Sequence, residues 1–217
     1  MNKGRKFFLI LLIIFIVSAV LLGGYVAYNY IKNYIISQEA SSAVDEFENS
    51  LNDIITVEVG DEEETNIIQT ETPTKTPATN TSSTVRYKGY NIIGTIQIPK
   101  TNVKYPIVDS TTPQAMEVAI VMLYGPGLNQ IGNTVIVGHN YRNGGFFGNN
   151  KKLVLGDKIY ITDSTGRKIE YSIYNTYTTS DSDFSYATRE TDGKREISLS
   201  TCTSDSTKRL IIWAREN

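Results

Sequence analysis

Reactive side chains are scarce in this chain, which has one cysteine and one histidine among 217 residues. A single cysteine cannot form an intramolecular disulfide, so a fold stapled by disulfides is excluded. The one thiol, Cys202, ends the run 196–202, and the one imidazole, His139, ends the run 134–139. Both runs are typical of short buried strands that carry the reactive residue at the C-terminal tip. Cys202 and His139 are therefore the first candidates for chemistry.

A strong net charge is also absent, because 21 basic residues nearly balance 23 acidic ones. The charges are unevenly distributed along the chain. Between Glu39 and Glu71 there are eleven acidic residues and no basic ones, whereas the chain from Val85 onward has sixteen basic and twelve acidic residues. The first part is interpreted as a solvated stalk. The second part is too weakly basic to indicate nucleic-acid binding.

One long uncharged run, Phe7–Tyr28, is rich in Leu, Ile, Val and Phe. As a helix it would span about 33 Å, which is enough to cross a bilayer core. Lys3, Arg5 and Lys6 precede it, so the positive-inside rule predicts that residues 1–6 are cytoplasmic and that the chain after the anchor is outside the cell. A cleaved signal peptide is the alternative, and N-terminal sequencing of the mature protein would distinguish the two.

Residues 29–84 are predicted to form the acidic stalk and a Thr/Pro-rich linker. The part from 30 to 55 allows a helix, although its apolar periodicity is poor. The part from 70 to 84 favours extended polyproline-like structure and lacks the apolar residues needed for a core. We expect this segment to hold the following domain away from the membrane.

Residues 85–217 show about eight apolar runs separated by turn residues, with little helix beyond one turn near Thr111. Eight short strands suit a small closed barrel. The predicted fold is therefore all-β: a closed eight-stranded barrel with short helices, behind an N-terminal transmembrane helix.

Arg209 completes a possible reactive group, because it opens another apolar run seven residues after Cys202. A cysteine attacks as its thiolate, and a nearby cation favours that form. A thiol, an imidazole and a guanidinium suffice for cysteine-based acyl transfer. Thr201, next to the thiol, is the best side-chain candidate for shaping the site. The alternative is structural, since a lone cysteine on an apolar strand is often a small buried hydrophobe.

These segments resemble the sortases, which are extracytoplasmic cysteine transpeptidases of Gram-positive bacteria. The family's TLxTC motif corresponds to Ser198–Cys202, with Ser in its first position, and its R-L-[VI]-[VI]-x-A motif corresponds to Arg209–Ala214. The family's histidine context corresponds to Gly138–Asn140, and its first barrel strand is similar to Gly94–Lys100. The resemblance covers roughly residues 86–217.

The resemblance implies a membrane-anchored enzyme that cleaves LPxTG-like C-terminal sorting signals between Thr and Gly and transfers the protein to a cell-wall amine. Cys202 would be the nucleophile that forms a thioacyl-enzyme. His139 would act as acid and then as base, and Arg209 would bind the substrate carbonyl or the oxyanion. The implied partners are surface proteins with sorting signals, a cell-wall precursor or other amine acceptor, and the membrane. The implied location is the Gram-positive cell membrane, with the C-terminal domain extracytoplasmic; no cofactor and no nucleic acid is expected.

The polar segment 178–194, just before the cysteine strand, corresponds to a connection that forms part of the substrate groove in this family. We expect Phe184 and Tyr186 to contact the peptide, together with Ser200 and Thr201 of the cysteine motif. The acidic residues of this segment lack the ordered spacing of a calcium loop, so no metal is predicted.

The resemblance favours a class D-like enzyme over a class B-like one. Ser200 within the cysteine motif is similar to the motif of class B. The segment before Cys202, however, is too short for the long helix that class B enzymes have there. No Asp-Pro-aromatic lid motif occurs between Glu39 and Tyr90, which favours anchoring of single proteins over pilus polymerisation. Two other functions stay open: a cysteine endopeptidase with water as acceptor, and a non-enzymatic membrane-anchored β-barrel adhesin or scaffold. Product analysis with added amine and thiol labelling of Cys202 would distinguish them.

Overall fold

A computed structural model of the protein describes residues 3–59, 85–141 and 143–217. The chain divides into two compact units, Met1–Glu39 and Ala40–Asn217. A long helix, α1, runs from Lys3 to Val59. The predicted Thr/Pro-rich linker at 70–84 lies outside the described residues.

The N-terminal unit is helical, and its large apolar side chains are exposed to the surroundings. In the described part of the chain, α1 is the single helix that is long and apolar enough to cross a membrane. This property rests on length and composition, and a signal sequence near an N-terminus shares it. The helix is therefore compatible with the predicted anchor at Phe7–Tyr28.

Among its described residues, 40–59, 85–141 and 143–217, the second unit contains the end of α1, nine strands and a short helix. Helix α2 spans Pro113–Val118, and Thr112 caps it by accepting a 3.2 Å hydrogen bond from the Ala115 amide, as the sequence predicted. The strands are β1 (Arg86–Tyr87), β2 (Tyr90–Ile98), β3 (Val103–Val108), β4 (Ile120–Tyr124), β5 (Gly132–Val137), β6 (Lys158–Asp163), β7 (Lys168–Ser180), β8 (Arg195–Cys202) and β9 (Lys208–Glu216).

The sheet closes on itself. Its order is β1-β2-β3-β4-β5-β8-β9-β7-β6, and β6 pairs back onto β2. Strand β1 is a two-residue addition to β2, so the remaining eight strands form the barrel. The predicted closed eight-stranded barrel is confirmed. Closure leaves no unpaired sheet edge among these eight strands.

Two of the strand pairs are parallel, β3 with β4 and β5 with β8. The second pair matters for the site, because parallel strands bring their C-terminal ends to the same end of the barrel. The predicted histidine strand is β5 and the predicted cysteine strand is β8. Strand β9, which begins next to Arg209, is antiparallel to β8 on its other side.

Side chains alternate between the inside and the outside of the barrel. Ile136, Leu199 and Ile212 belong to the main core. Their neighbours Val135 and Ile211 form a second, smaller cluster together with Tyr186. This second cluster lies on the outer face of β5, β8 and β9, under the connection between β7 and β8.

The boundary at residue 85 stays a prediction, and the compact unit that contains the barrel begins at Ala40. Part of the segment assigned to the stalk packs against barrel residues. The apolar positions are spaced like one face of a helix, and all are buried: Ala40, Ala43, Val44, Phe47 and Leu51. Polar contacts accompany them, since Glu48 accepts hydrogen bonds from Thr95 and Gln97. The exposed residues earlier in the helix obscured this periodicity in the sequence.

Candidate active site

The pairing of β5 with β8 brings His139 beside Cys202. The last paired residues of the two strands are Val137 and Ser200. The Gly138 amide continues the ladder by donating to the Ser200 carbonyl at 3.3 Å. Two positions beyond that pair, His139 follows the end of β5 and Cys202 ends β8, so both lie at the same end of neighbouring strands, which are about 4.8 Å apart in a sheet.

Arg209 lies on the other side of Cys202. The two residues are register partners in the antiparallel pair of β8 and β9. The Arg209 Nη1 donates to the Cys202 Sγ at 2.7 Å. The thiol is half-buried and is not part of a disulfide. The guanidinium is permanently charged, so this contact holds a cation against the sulfur atom.

His139, Cys202 and Arg209 share the outer face of the barrel. His139 and Arg209 are each an even number of residues from a member of the outer cluster, Val135 and Ile211 respectively. Cys202 is two residues from Ser200, whose hydroxyl lies 3.3 Å from that of Tyr186 in the same cluster. The reactive group therefore lies at one end of the surface that the β7–β8 connection covers. A substrate can reach it from outside without entering the packed barrel interior.

Two side-chain hydrogen bonds hold the strand tips together where the regular ladder ends. Thr201 Oγ1 donates to the Gly138 carbonyl at 2.7 Å. Asn140 Nδ2 donates to the Cys202 carbonyl at 2.8 Å. We call this pair the tip clasp. It brackets His139 on one strand and fixes the backbone of Cys202 on the other, so it limits the relative motion of the two reactive side chains.

The chain after His139 folds back over the site. The Phe147 amide donates to the His139 carbonyl at 3.0 Å, and the Tyr141 ring lies 5.2 Å from the imidazole, centroid to centroid. Burial, together with the nearby Glu117 carboxylate, raises the pKa of Tyr141. Gly148 is required in this turn, because a Cβ there would lie 2.2 Å from the Tyr141 carbonyl oxygen.

Comparison of the chain with known proteins identifies its family. The family model described as Sortase domain matches residues 96–217, more than half of the chain. The chain belongs to the sortase family. It is therefore a cysteine transpeptidase, as the sequence motifs predicted.

Individual sortases resemble the chain over different lengths. The Sortase A of Bacillus anthracis is 26% identical, with 98% of this chain and 95% of that protein aligned. A lid mutant of Sortase A from Corynebacterium diphtheriae is 27% identical, with a TM-score of 0.54 over 59% of this chain and 71% of that one. The Sortase D5 transpeptidase of Clostridium perfringens shares the fold, with a TM-score of 0.59 and 23% identity over 83% of this chain and 99% of that one.

A cavity of about 160 Å³ opens beside Cys202 of this sortase. Cys202, Thr201 and Asn140 form one wall, and Lys151 and Thr178 are also among its lining residues. Lys151 and Asn140 were not selected from the sequence. Asn140 directly follows the histidine, but its contact with Cys202 joins residues 62 positions apart, which no local pattern reveals.

The four predicted substrate contacts differ in their exposure to solvent. Thr201 is buried but lines the cavity, and Phe184 is 57% exposed. Tyr186 and Ser200 are each 2% exposed, and their hydroxyls lie 3.3 Å apart. Their expected contact with peptide stays a prediction, and in the free enzyme Tyr186 packs in the outer cluster with Val135 and Ile211.

Potential metal ligands do not converge in the described part of the chain. Among residues 3–59, 85–141 and 143–217, no group of three or more His, Cys, Asp or Glu side chains is arranged to hold an ion. The acidic residue Asp183, in the predicted groove segment, instead accepts hydrogen bonds from Thr179 and from the Ser185 amide. These hydrogen bonds, that from Thr179 first, lower the pKa of Asp183.

Proposed function

We propose that this sortase cleaves an LPxTG-like sorting signal between Thr and Gly and transfers the Thr carboxyl group to a cell-wall amine. The observation that carries the proposal is the contact of Arg209 Nη1 on β9 with Cys202 Sγ on β8. The other neighbour of β8 is β5, and His139 follows the end of β5. The motif Ser198–Cys202 supports the choice of peptide class by its resemblance to the family.

In the first half-reaction, the Cys202 thiolate attacks the carbonyl carbon of the substrate Thr. The C–S bond forms, and the carbonyl oxygen becomes an oxyanion one bond away from that carbon. Arg209 has several N–H donors in one planar group. It can therefore donate first to the thiolate sulfur and then to the oxyanion with little movement. His139 then gives a proton to the departing Gly nitrogen, and the C–N bond breaks to leave a thioester.

In the second half-reaction, an amine attacks the thioester carbonyl. His139 takes a proton from this amine, and the Cys202 thiolate leaves as the new amide bond forms. Each group returns to its starting state, so the cycle needs no cofactor. The half-exposed position of Cys202 at a strand tip leaves access for both the peptide and the acceptor.

The proposal places the enzyme on the outer side of the membrane. The uncharged run Phe7–Tyr28 supports an anchor, and the basic residues before it support a cytoplasmic N-terminus. For the subclass we propose a class D-like enzyme. Residues 181–194, all of them described, contain turns and no helix, which argues against the long helix of class B.

The test is mass spectrometry of the full-length protein with LPxTG-like peptides, with and without triglycine as amine. We expect an adduct on Cys202 whose mass equals the peptide fragment that ends in Thr, and a ligated product when amine is present. Release of the free acid alone, unchanged by amine, would instead identify an endopeptidase.

Substitutions sharpen this test. Cys202→Ala should reduce turnover by about 10⁴-fold or more because the nucleophile is gone. Arg209→Ala should reduce it by about 10²- to 10³-fold with the fold intact. The matched control is Lys208→Ala, an exposed cation one residue away on β9. Equal losses in the Arg209 and Lys208 variants would contradict the role of Arg209.

A further inference from the structure

The connection between β7 and β8, residues 181–194, is held by one arginine. We call it the β7–β8 loop. Arg189 is the loop's only arginine, and its side chain is just 12% exposed although it is charged. Arginine is seldom so buried unless its charge is paired. The groups that pair with Arg189 therefore identify the contacts that hold the loop in place.

Arg189 bonds to strands β5 and β8. Its Nη1 pairs with the carboxylate of Glu196, which is 4% exposed, and its Nη2 donates to Asn133 Oδ1 at 3.0 Å. Ser198 Oγ donates to the same Asn133 oxygen at 2.8 Å. We call Arg189, Asn133, Glu196 and Ser198 the loop latch. The guanidinium also lies over the ring of Trp213 on β9, 4.5 Å from its centroid.

The latch extends to the loop backbone and toward the nucleophile. Asn133 Nδ2 donates to the carbonyls of Tyr186 and Ala187 at 2.9 and 3.0 Å. Tyr186 in turn meets Ser200, which is two residues before Cys202 on the same face of β8. Arg189 thus fixes the position of Tyr186 relative to the reactive end of the strand.

We propose that Arg189 is a positioning residue, which holds the β7–β8 loop over the outer face of β5 and β8 before substrate arrives. The proposal rests on the proposed function and on the expectation that residues 178–194 form part of the substrate groove. A loop that is already ordered loses little conformational entropy on binding, so Arg189 determines peptide affinity rather than the rate of chemistry. It touches neither the reacting atoms nor Cys202.

The test compares full-length Arg189→Met with wild type in detergent micelles, using a quenched-fluorescence peptide that contains Leu-Pro-Ala-Thr-Gly and triglycine as acceptor. We expect KM to rise about tenfold while kcat stays within about threefold. Hydrogen exchange of the amides in residues 181–194 should become at least tenfold faster. Trp213 is the chain's single tryptophan, so its emission should also change.

The matched control is Arg195→Met. Arg195 stands at the end of the same loop, but it pairs with the half-exposed Glu216 and lies outside the latch. Its KM and loop exchange should stay within about twofold of wild type. The variant Arg189→Met/Glu196→Gln covers the case in which the buried Glu196 carboxylate, left with only Arg215 and the Tyr174 hydroxyl beside it, unfolds the protein. This double variant should repeat the rise in KM and the faster exchange.

Three results would overturn the proposal: unchanged loop exchange in the folded Arg189 variants, an equal rise in KM in Arg195→Met, or a loss confined to kcat. A wild-type enzyme that does not process the peptide contradicts the proposed function instead. The exchange and Trp213 measurements on the free enzyme would then still decide whether Arg189 holds the loop.

Discussion

Asn140 is the residue whose role changed most between sequence and structure. In the sequence it only follows His139, whereas in the structure it donates to the carbonyl of Cys202 at 2.8 Å. Cys202 therefore has a covalent neighbour in Thr201 and a spatial one in Asn140, and both belong to the tip clasp. Geometry of this kind controls catalysis because small displacements of reacting groups cost large factors in rate.

Replacing Asn140 by Ala should lower kcat by about tenfold or more with little change in KM, since Asn140 orients the backbone of Cys202. The free energy of unfolding should fall by only about 1 kcal/mol, the usual net value of one hydrogen bond. Steady-state kinetics and thermal unfolding measure the two quantities.

The control for this change is Asn91→Ala on β2, which removes an exposed hydrogen bond to Asp109. It should leave kcat and KM within about twofold of wild type. A rise in KM with unchanged kcat in Asn140→Ala would show that Asn140 contacts substrate, contrary to the clasp.

At the scale of elements, pairing between strands far apart in the chain creates both the site and the barrel. Strands β5 and β8 are joined although β6 and β7 lie between them in sequence. Strands β2 and β6 close the sheet, and Gly94 stands opposite Asp163 in that closure. A Cβ at Gly94 would lie 2.4 Å from both the Leu128 side chain and the Thr162 carbonyl.

Gly94→Ala should therefore destabilise the barrel by about 1–3 kcal/mol, because the backbone of β6 has to move to admit the methyl group. Chemical denaturation followed by Trp213 emission measures this loss. Gly145→Ala is the control, since its nearest neighbour is the Asn143 side chain at 3.2 Å, which can shift. Equal stability losses in both variants would contradict the role assigned to β2–β6 closure.

At the scale of the whole molecule, the part of α1 after Glu39 belongs to the catalytic unit. Phe47 and its buried neighbours cover apolar barrel surface, and Lys104 forms a 2.6 Å ion pair with Asp45. The ion pair is largely exposed and contributes little. The apolar contacts are the larger contribution, at roughly 1.5–3 kcal/mol for each fully buried large side chain.

A chain of residues 40–217 should accordingly unfold at a higher temperature than one of residues 85–217, as measured by circular dichroism. Phe47→Ala in the longer chain should remove about 3–5 kcal/mol, the usual loss for a buried phenylalanine. Glu46→Ala, an exposed change one residue away, should have almost no effect. Equal melting temperatures for the two chains would place the domain boundary at residue 85 after all.

The sequence by itself determined the local features of this protein. Strand runs that end in His139 and Cys202, the uncharged segment Phe7–Tyr28 and the motif around Arg209 are all readable in order along the chain. Together they predicted the barrel and the family. Each depends on neighbouring residues only, because alternation, apolar length and motif spacing are short-range properties.

Only the tertiary structure decided which distant residues meet. The tip clasp joins residues up to 63 positions apart, and the loop latch joins Arg189 to Asn133 across 56. The burial of Tyr186 and the packing of Phe47 likewise depend on surfaces that exist only once the barrel has closed. Such contacts follow from strand order and register across the sheet, which composition and periodicity leave undetermined.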